Sequence, residues 1–174
     1  MTRKMARSRT IDWGGIKVIE DINDVAINTG IDTLEGRIGP LLKGESSQAH
    51  FIEMPGYLYC QEHPHPTESI IFTVKGNWVL CSSCRRQLMR PGSLFWFKAG
   101  TPTGYEVPFP EPAFILIFKG DRDEKDDEGF LEYLCGLKVR LERDHEEGTP
   151  FKLSELSPEH PARVFARGLG AEGA

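Results

Sequence analysis

Long apolar runs are missing from this 174-residue sequence. No stretch approaches the roughly 20 apolar residues that a helix needs to cross a bilayer, so the sequence predicts no membrane partner. The segment 1–9, MTRKMARSR, is basic, but no apolar segment follows it, and we therefore expect no secretory signal. Long basic blocks are missing too, and the formal net charge is -5, which argues against a nucleic acid partner.

Cysteine is scarce, with four residues in the chain, Cys60, Cys81, Cys84 and Cys135. Because no secretory signal is predicted, we expect a cytoplasmic protein whose cysteines are reduced thiols. The CSSC stretch has the spacing of a zinc knuckle or a redox pair, but a zinc ribbon needs a second pair. A redox pair normally lies at a helix N-terminus, whereas this one falls between two strand-like stretches. We interpret CSSC as an ordinary hairpin turn, with Arg85, Arg86 and Arg90 on the solvated surface of that hairpin.

What the sequence does contain is a dense series of strand signals. Hydrophobic residues make up 39% and charged residues 27%, as in a soluble globular domain. Short apolar stretches cut by Gly and Pro recur up to Gly120, among them IIFTVKG (70–76), SLFWFKAG (93–100) and AFILIFKG (113–120). This spacing predicts an all-β sandwich or barrel.

The pattern changes after Gly120. A charged, mostly acidic linker, 121–129, precedes an apolar stripe at helical spacing, made of Phe130, Leu134, Leu137 and Leu141. A second helix is predicted to start at Ser157, with Pro158 in its first turn. We expect 121–174 to pack on a barrel formed by 1–120 as part of the same domain, with His145 and His160 on the surface.

The stretch CQEHPHPTES, 60–69, contains the candidate metal ligands. Residues two apart on an extended strand point to the same face, so His63 and His65 can aim at one ion. Pro64 and Pro66 favour the extended backbone that this requires. Neutral imidazole is a good ligand for Zn, Fe, Ni, Cu and Mn, and Glu68 can close the chelate. These three residues suffice for a metal site with an open position.

Two stretches resemble the motifs of the cupin superfamily. Gly56 followed by HPHPTESIIFTVKG is similar to the first cupin motif, and RPGSLFWFKAGTPTGYEV (90–107) is similar to the second. The resemblance covers about 46–120 and implies an RmlC-like jelly roll, that is, a double-stranded β-helix, here with C-terminal α-helices. It also implies a homodimer, because cupins commonly pair and the edges of β-sheets invite pairing.

The chain departs from the cupin pattern at two ligand positions. Counting back from Gly76 to the usual acidic ligand reaches Ser69, so Glu68 is one residue early. The histidine of the second motif is replaced by Thr103, a poor ligand for a transition metal. Water or substrate can complete the shell, and His50 or Cys60 are further candidates to approach it.

Two functional hypotheses follow. In the first, the chain is a small-molecule enzyme that uses a divalent metal (Zn, Fe, Ni or Mn) held by His63, His65 and Glu68. The reaction class stays open among oxidoreductase (dioxygenase), isomerase and lyase chemistry. In the second, it is a metal-free, non-catalytic cupin that binds a sugar-like or acidic small molecule. The candidate catalytic residues are Glu68, Tyr59 and Tyr105, and the candidate pocket residues are Ser69, Thr103 and Trp96.

Overall fold

The computed structural model describes residues 10–24, 29–120, 124 and 126–171. The basic segment 1–9, most of the predicted acidic linker before Asp126, and residues 172–174 therefore lie outside the described residues. Twelve strands are described, which are, in chain order, β1 Ile11–Asp12, β2 Lys17–Val18, β3 Ile31–Thr33, β4 Gly36–Lys43, β5 Ser47–Met54, β6 Tyr59–Pro64, β7 Ser69–Lys75, β8 Trp78–Ser82, β9 Arg85–Met89, β10 Leu94–Phe97, β11 Pro102–Glu106 and β12 Ala113–Gly120. Helices α1, Asp127–Glu146, and α2, Pro161–Gly168, follow them, with a short 3-10 turn at Leu153–Glu155 between the two.

Two sheets build the barrel. The larger has the strand order β10-β7-β12-β5-β4-β3 and the smaller has the order β6-β11-β8-β9, while β1 and β2 form a separate two-stranded ribbon. All of these pairings are antiparallel. This arrangement confirms the all-β jelly roll with C-terminal helices that the sequence predicts.

The core lies between the two sheets. Ile71 and Ile115 enter it from the larger sheet, and Trp78 and Tyr105 enter it from the smaller one. The indole N–H of Trp78 donates a 2.9 Å hydrogen bond to the hydroxyl of Thr73, and neither residue has measurable exposure. The one polar group of the buried indole is therefore satisfied across the core.

Helix α1 packs against β3 and β4 at one end of the barrel. Its predicted stripe faces inward, because Phe130 and Leu134 are buried against Ile38. The helix begins three residues before Phe130, where the side chain of Asp126 accepts a 2.8 Å bond from the Gly129 N–H. None of the described helices is long and apolar enough to span a membrane.

The second helix starts later than predicted. Ser157 and Pro158 belong to a turn closed by a bond from the His160 N–H to the Ser157 carbonyl. The N-cap is His160, whose Nδ1 accepts from the Ala162 N–H, and Pro161 occupies the first helical position. His160 is half-buried rather than exposed, because its ring meets the edge of Tyr59 beneath the helix.

The C-terminal segment covers the outer face of the smaller sheet. Leu153, Ala162 and Ala166 are buried against Tyr59, which points away from the barrel interior. This packing agrees with the expectation that 121–174 belongs to the same domain as 1–120, and that division stays a prediction.

Candidate functional site

A cavity of about 370 Å³ lies between the barrel and α1. Its wall is mostly carbon, supplied by residues such as Ile52, Met54 and Ile71 of the barrel and by Leu134 and Leu137 of the helix. The polar side chains on the wall include Glu35, His50, His63, His65, Ser69 and Lys119. A volume of this size lies at the small end of the range for small-molecule sites, about 300–1,000 Å³.

The two histidines of the motif lie side by side on this wall. Their ring centroids are 4.5 Å apart, and both rings line the cavity. Nδ1 of His63 lies 3.0 Å from the carbonyl oxygen of Gln61. Because a carbonyl can only accept, Nδ1 carries a hydrogen, and Nε2 is the nitrogen that can offer a lone pair to a ligand.

The hydrogen-bond partner of His65 is a side chain rather than a carbonyl. The Nε2 of His65 lies 2.8 Å from the Thr103 hydroxyl, which in turn donates to the Tyr105 hydroxyl over 3.3 Å. Burial, then the neighbouring His63 and Lys119, lowers the pKa of His65 to about 4, so the ring is neutral at physiological pH. Burial also raises the pKa of Tyr105, which keeps its hydroxyl protonated.

A β-bulge brings Cys60 to the same wall. Thr103 of β11 pairs with His63 and Tyr105 pairs with Cys60, so Gln61 and Glu62 together face the single residue Gly104. Without the bulge, residues three apart on a strand would point to opposite faces. With it, Cys60 and His63 both point into the cavity.

The thiol of Cys60 meets a carboxylate from another part of the chain. Sγ of Cys60 donates to Oε1 of Glu35 over 3.4 Å. Burial, together with the charge of Glu35, raises the pKa of Cys60 well above its usual value. Glu35 sits in the turn between β3 and β4, where its N–H donates to Thr33 Oγ1 and that hydroxyl donates to the Gly36 carbonyl.

Glu35, Cys60 and His63 form a compact group of potential metal ligands. One ligand atom from each lies within 4.8 Å of the other two. The sequence offered no signal for Glu35, whose contact with Cys60 spans 25 positions. Cys60 was a candidate only because it lies near the two histidines in the sequence. Strand alternation would point it to the face opposite His63, and the sequence pattern does not reveal the bulge.

The remaining predicted site residues are divided between the cavity and the outside. Ser69 and Tyr105 line the cavity, and buried Thr103 lies behind His65. Glu68 is exposed on the outer surface, where its Oε2 accepts a 2.8 Å bond from the indole of Trp96.

Trp96 is 57% exposed and belongs to the outer face of the larger sheet. Tyr59 is buried beneath α2, on the outer side of the smaller sheet. The structure therefore does not bring Glu68, Trp96 or Tyr59 together with the histidines.

The metal-ligand set implied by the cupin motifs does not fit these positions. Thr103 offers a neutral hydroxyl in place of the second-motif histidine, and Ser69 offers a neutral hydroxyl in place of a carboxylate. Glu68 cannot reach the cavity from the outer face of the sheet. Of the two histidines, His63 is the one that groups with other potential metal ligands, those of Glu35 and Cys60.

The CSSC stretch forms the tip of the β8–β9 hairpin. Ser83 and Cys84 have the positive φ angles of a tight two-residue turn. Sγ of Cys81 donates to Oε1 of Glu62 over 2.8 Å. Burial and this bond raise the pKa of Cys81 to about 12, which opposes the thiolate that a redox pair requires.

A jelly roll whose two motif histidines face an internal cavity defines a cupin-type protein. Residues 47–146 match the family model described as the AraC-like ligand binding domain, and the chain belongs to this family. The match includes the barrel strands from β5 onward and all of α1, so the helix that closes the cavity lies within the family's domain. No curated protein matches the chain.

Several solved structures are similar to parts of the chain. The DMSP lyase DddQ from Ruegeria pomeroyi DSS-3 is 24% identical over 48% of this chain, with a TM-score of 0.42. The matched region spans 42% of that lyase, less than half of its length. The polyketide cyclase RemF from Streptomyces resistomycificus is 17% identical, with coverages of 54% and 70% and a TM-score of 0.47. A cupin 2 conserved barrel domain protein from Salinispora arenicola CNS-205 is 15% identical, with coverages of 53% and 82% and a TM-score of 0.48.

Proposed function

We propose that the chain is a small-molecule-binding domain whose ligand occupies the cavity between the barrel and α1. The cavity carries this proposal, because it combines an apolar wall with a few converging polar groups, the usual composition of a ligand site. Membership of the AraC-like ligand binding domain family supports it.

The polar groups indicate the kind of ligand. His65 is a neutral hydrogen-bonding group, and Ser69 adds a hydroxyl. Lys119 brings a positive charge to the same wall; burial lowers its pKa, and the nearby Glu124 opposes that shift. A small molecule with an apolar body and a carboxylate or hydroxyl groups matches these partners, which keeps both acidic and sugar-like ligands open.

Thermal unfolding with a panel of small organic acids and sugars tests the proposal. A ligand at 100 times its Kd stabilises the fold by about 2.7 kcal/mol, which raises the Tm of a chain of this size by roughly 5–10 °C. Leu137→Trp fills the cavity from α1 and should abolish the shift. Val139→Trp is the matched control, because Val139 is 66% exposed on the same helix. A panel without any stabilising compound, or a shift that survives Leu137→Trp, contradicts the proposal.

A metal-dependent enzyme is the second candidate, favoured by the paired imidazoles on the cavity wall. The two functions differ in the fate of the ligand. Any compound found by the panel is incubated with the protein, with and without added Zn, Fe, Ni or Mn, and followed by NMR. Turnover beyond one equivalent supports the enzyme, and an unchanged compound supports the binding domain.

A further inference from the structure

We propose that Glu35, Cys60 and His63 bind one thiophilic divalent cation of the Zn²⁺ type on the cavity wall. This ligand set differs from the pair of histidines and Glu68 that the sequence predicts. It is also independent of the small-molecule proposal, since a metal site and a ligand cavity can each exist without the other.

The spacing of the ligand atoms fits a tetrahedral ion. Zinc bonds of about 2.0–2.3 Å place two tetrahedral ligand atoms about 3.3–3.6 Å apart. The sulfur of Cys60 is already 3.4 Å from the Glu35 oxygen. The full triad lies within 4.8 Å, so closure onto an ion needs side-chain shifts of only about 1 Å.

The backbone holds each ligand in place before any ion arrives. The bulge opposite Gly104 fixes Cys60 and His63 on one face of β6. The hydrogen-bonded turn at Thr33 and Gly36 fixes the position of Glu35. The bond from His63 Nδ1–H to the Gln61 carbonyl orients the ring and leaves Nε2 for the metal, as partners behind metal-binding histidines commonly do.

The donor atoms select the class of metal. A thiolate, an imidazole and a carboxylate together suit Zn²⁺, whereas Mg²⁺ and Ca²⁺ prefer oxygen ligands alone. The thiol of Cys60 releases its proton to solvent when the metal binds. Three protein ligands leave a fourth position, and it faces the cavity because all three residues line it.

Cobalt titration tests the site. Protein without an affinity tag is stripped with a chelator, kept reduced, and titrated with Co²⁺, which reports a bound thiolate by a near-ultraviolet charge-transfer band. We expect this band to saturate at one equivalent and to disappear when Zn²⁺ is added. Cys60→Ser should remove the band, and Glu35→Gln and His63→Gln should each weaken Co²⁺ binding by at least about tenfold.

Matched controls locate the metal. Cys84→Ser and Cys135→Ser alter the exposed thiols, and His65→Gln alters the neighbouring imidazole that Thr103 holds, so all three should keep the band. Circular dichroism checks the folding of each variant, and Glu35→Gln, in a surface turn, tests the site if Cys60→Ser does not fold.

Three results overturn the proposal: no thiolate band in the parent, a band lost in Cys84→Ser but kept in Cys60→Ser, or equal losses in His63→Gln and His65→Gln. The small-molecule panel can also be run on chelator-treated protein, and its outcome then does not depend on the metal titration.

Discussion

Gly104 lies opposite the β6 bulge at a point where a β-carbon would be in tight contact with the neighbouring strand. A Cβ added there would lie 3.0 Å from the Cys60 carbonyl oxygen and 3.1 Å from two atoms of Glu62. The missing side chain therefore permits the bulge that turns Cys60 and His63 to one face.

Gly104→Ala should destabilise the protein, because the bulged backbone must move to accept the methyl group. We expect a loss of about 1–3 kcal/mol in the free energy of unfolding, measured by urea denaturation. Gly136→Ala is the matched control, since that glycine lies in α1 with open space where a Cβ would lie, and the variant should gain up to about 1 kcal/mol. A Gly104→Ala variant as stable as the parent would show that the bulge does not depend on Gly104.

The sequence predicted part of this arrangement and could not predict the rest. Strand alternation places His63 and His65 on one face, and both line the cavity. The same alternation turns Cys60 away, because a bulge adds one residue without any mark in the pattern. Glu35 could not be predicted for another reason, since its contact with Cys60 joins residues 25 positions apart in the chain.

Strands β9 and β11 are linked by an ion pair that crosses the strand between them. The guanidinium of Arg86 donates to both carboxylate oxygens of Glu106 at 3.0–3.2 Å. The two side chains are 11% and 3% exposed, so Arg86 is not on the solvated surface that the sequence predicts. Burial raises the pKa of Glu106, and Arg86 opposes that rise.

Arg86→Met should be strongly destabilising, because it leaves the carboxylate of Glu106 buried without its partner. Removing one member of a buried pair costs about 3–5 kcal/mol, whereas replacing both members with apolar residues is often neutral. We therefore expect Arg86→Met/Glu106→Leu to return to within about 1 kcal/mol of the parent in urea denaturation. A single variant that loses less than 1 kcal/mol, or a double variant as unstable as the single one, would contradict this account of the pair.

Helical periodicity located the elements of the C-terminal segment better than it located their ends. Of the predicted stripe, Phe130, Leu134 and Leu141 are buried and Leu137 is half-buried. The start of α2 was placed too early because Ser157-Pro158 and His160-Pro161 carry the same signal, a polar residue before proline. The helix starts at His160-Pro161, because this start lets Ala162 and Ala166 pack on Tyr59. Tyr59 is far away in the chain, so no local sequence pattern predicts this contact.

At the scale of the whole molecule, the two motifs were enough to predict the jelly roll, since their glycines and alternating strands are local features. The closure of the cavity was not predictable in the same way. It depends on α1 crossing the end of the barrel, where Phe130 meets the ring of His50 edge-on. The apolar stripe predicted a packed helix without indicating what it covers.

The outer face of the larger sheet carries an apolar surface at its β10 edge. Trp96, Ile70 and Phe118 lie in one row across β10, β7 and β12, and Leu94 lies beside them. Their exposed fractions are 57%, 45%, 41% and 64%, respectively. Contiguous exposed apolar surface is typical of interaction sites, and an edge strand offers free backbone groups for pairing.

We expect a second copy of the chain to cover this surface, giving the homodimer that the cupin resemblance implies. Light scattering coupled to size-exclusion chromatography should then give twice the mass of the 19.6 kDa chain. Leu94→Lys/Trp96→Lys should give the mass of one chain. The variant removes two apolar contacts from the interface, and dimerisation would have to bury two unpaired ammonium groups. Val164→Lys is the matched control, because Val164 is a half-exposed apolar residue on α2, away from this surface, and the variant should leave the dimer intact. The parent is measured at about 100 μM, which is 100 times a Kd of about 1 μM. A parent that elutes as a monomer at this concentration, or a double lysine variant that still elutes as a dimer, rules out this surface as the interface.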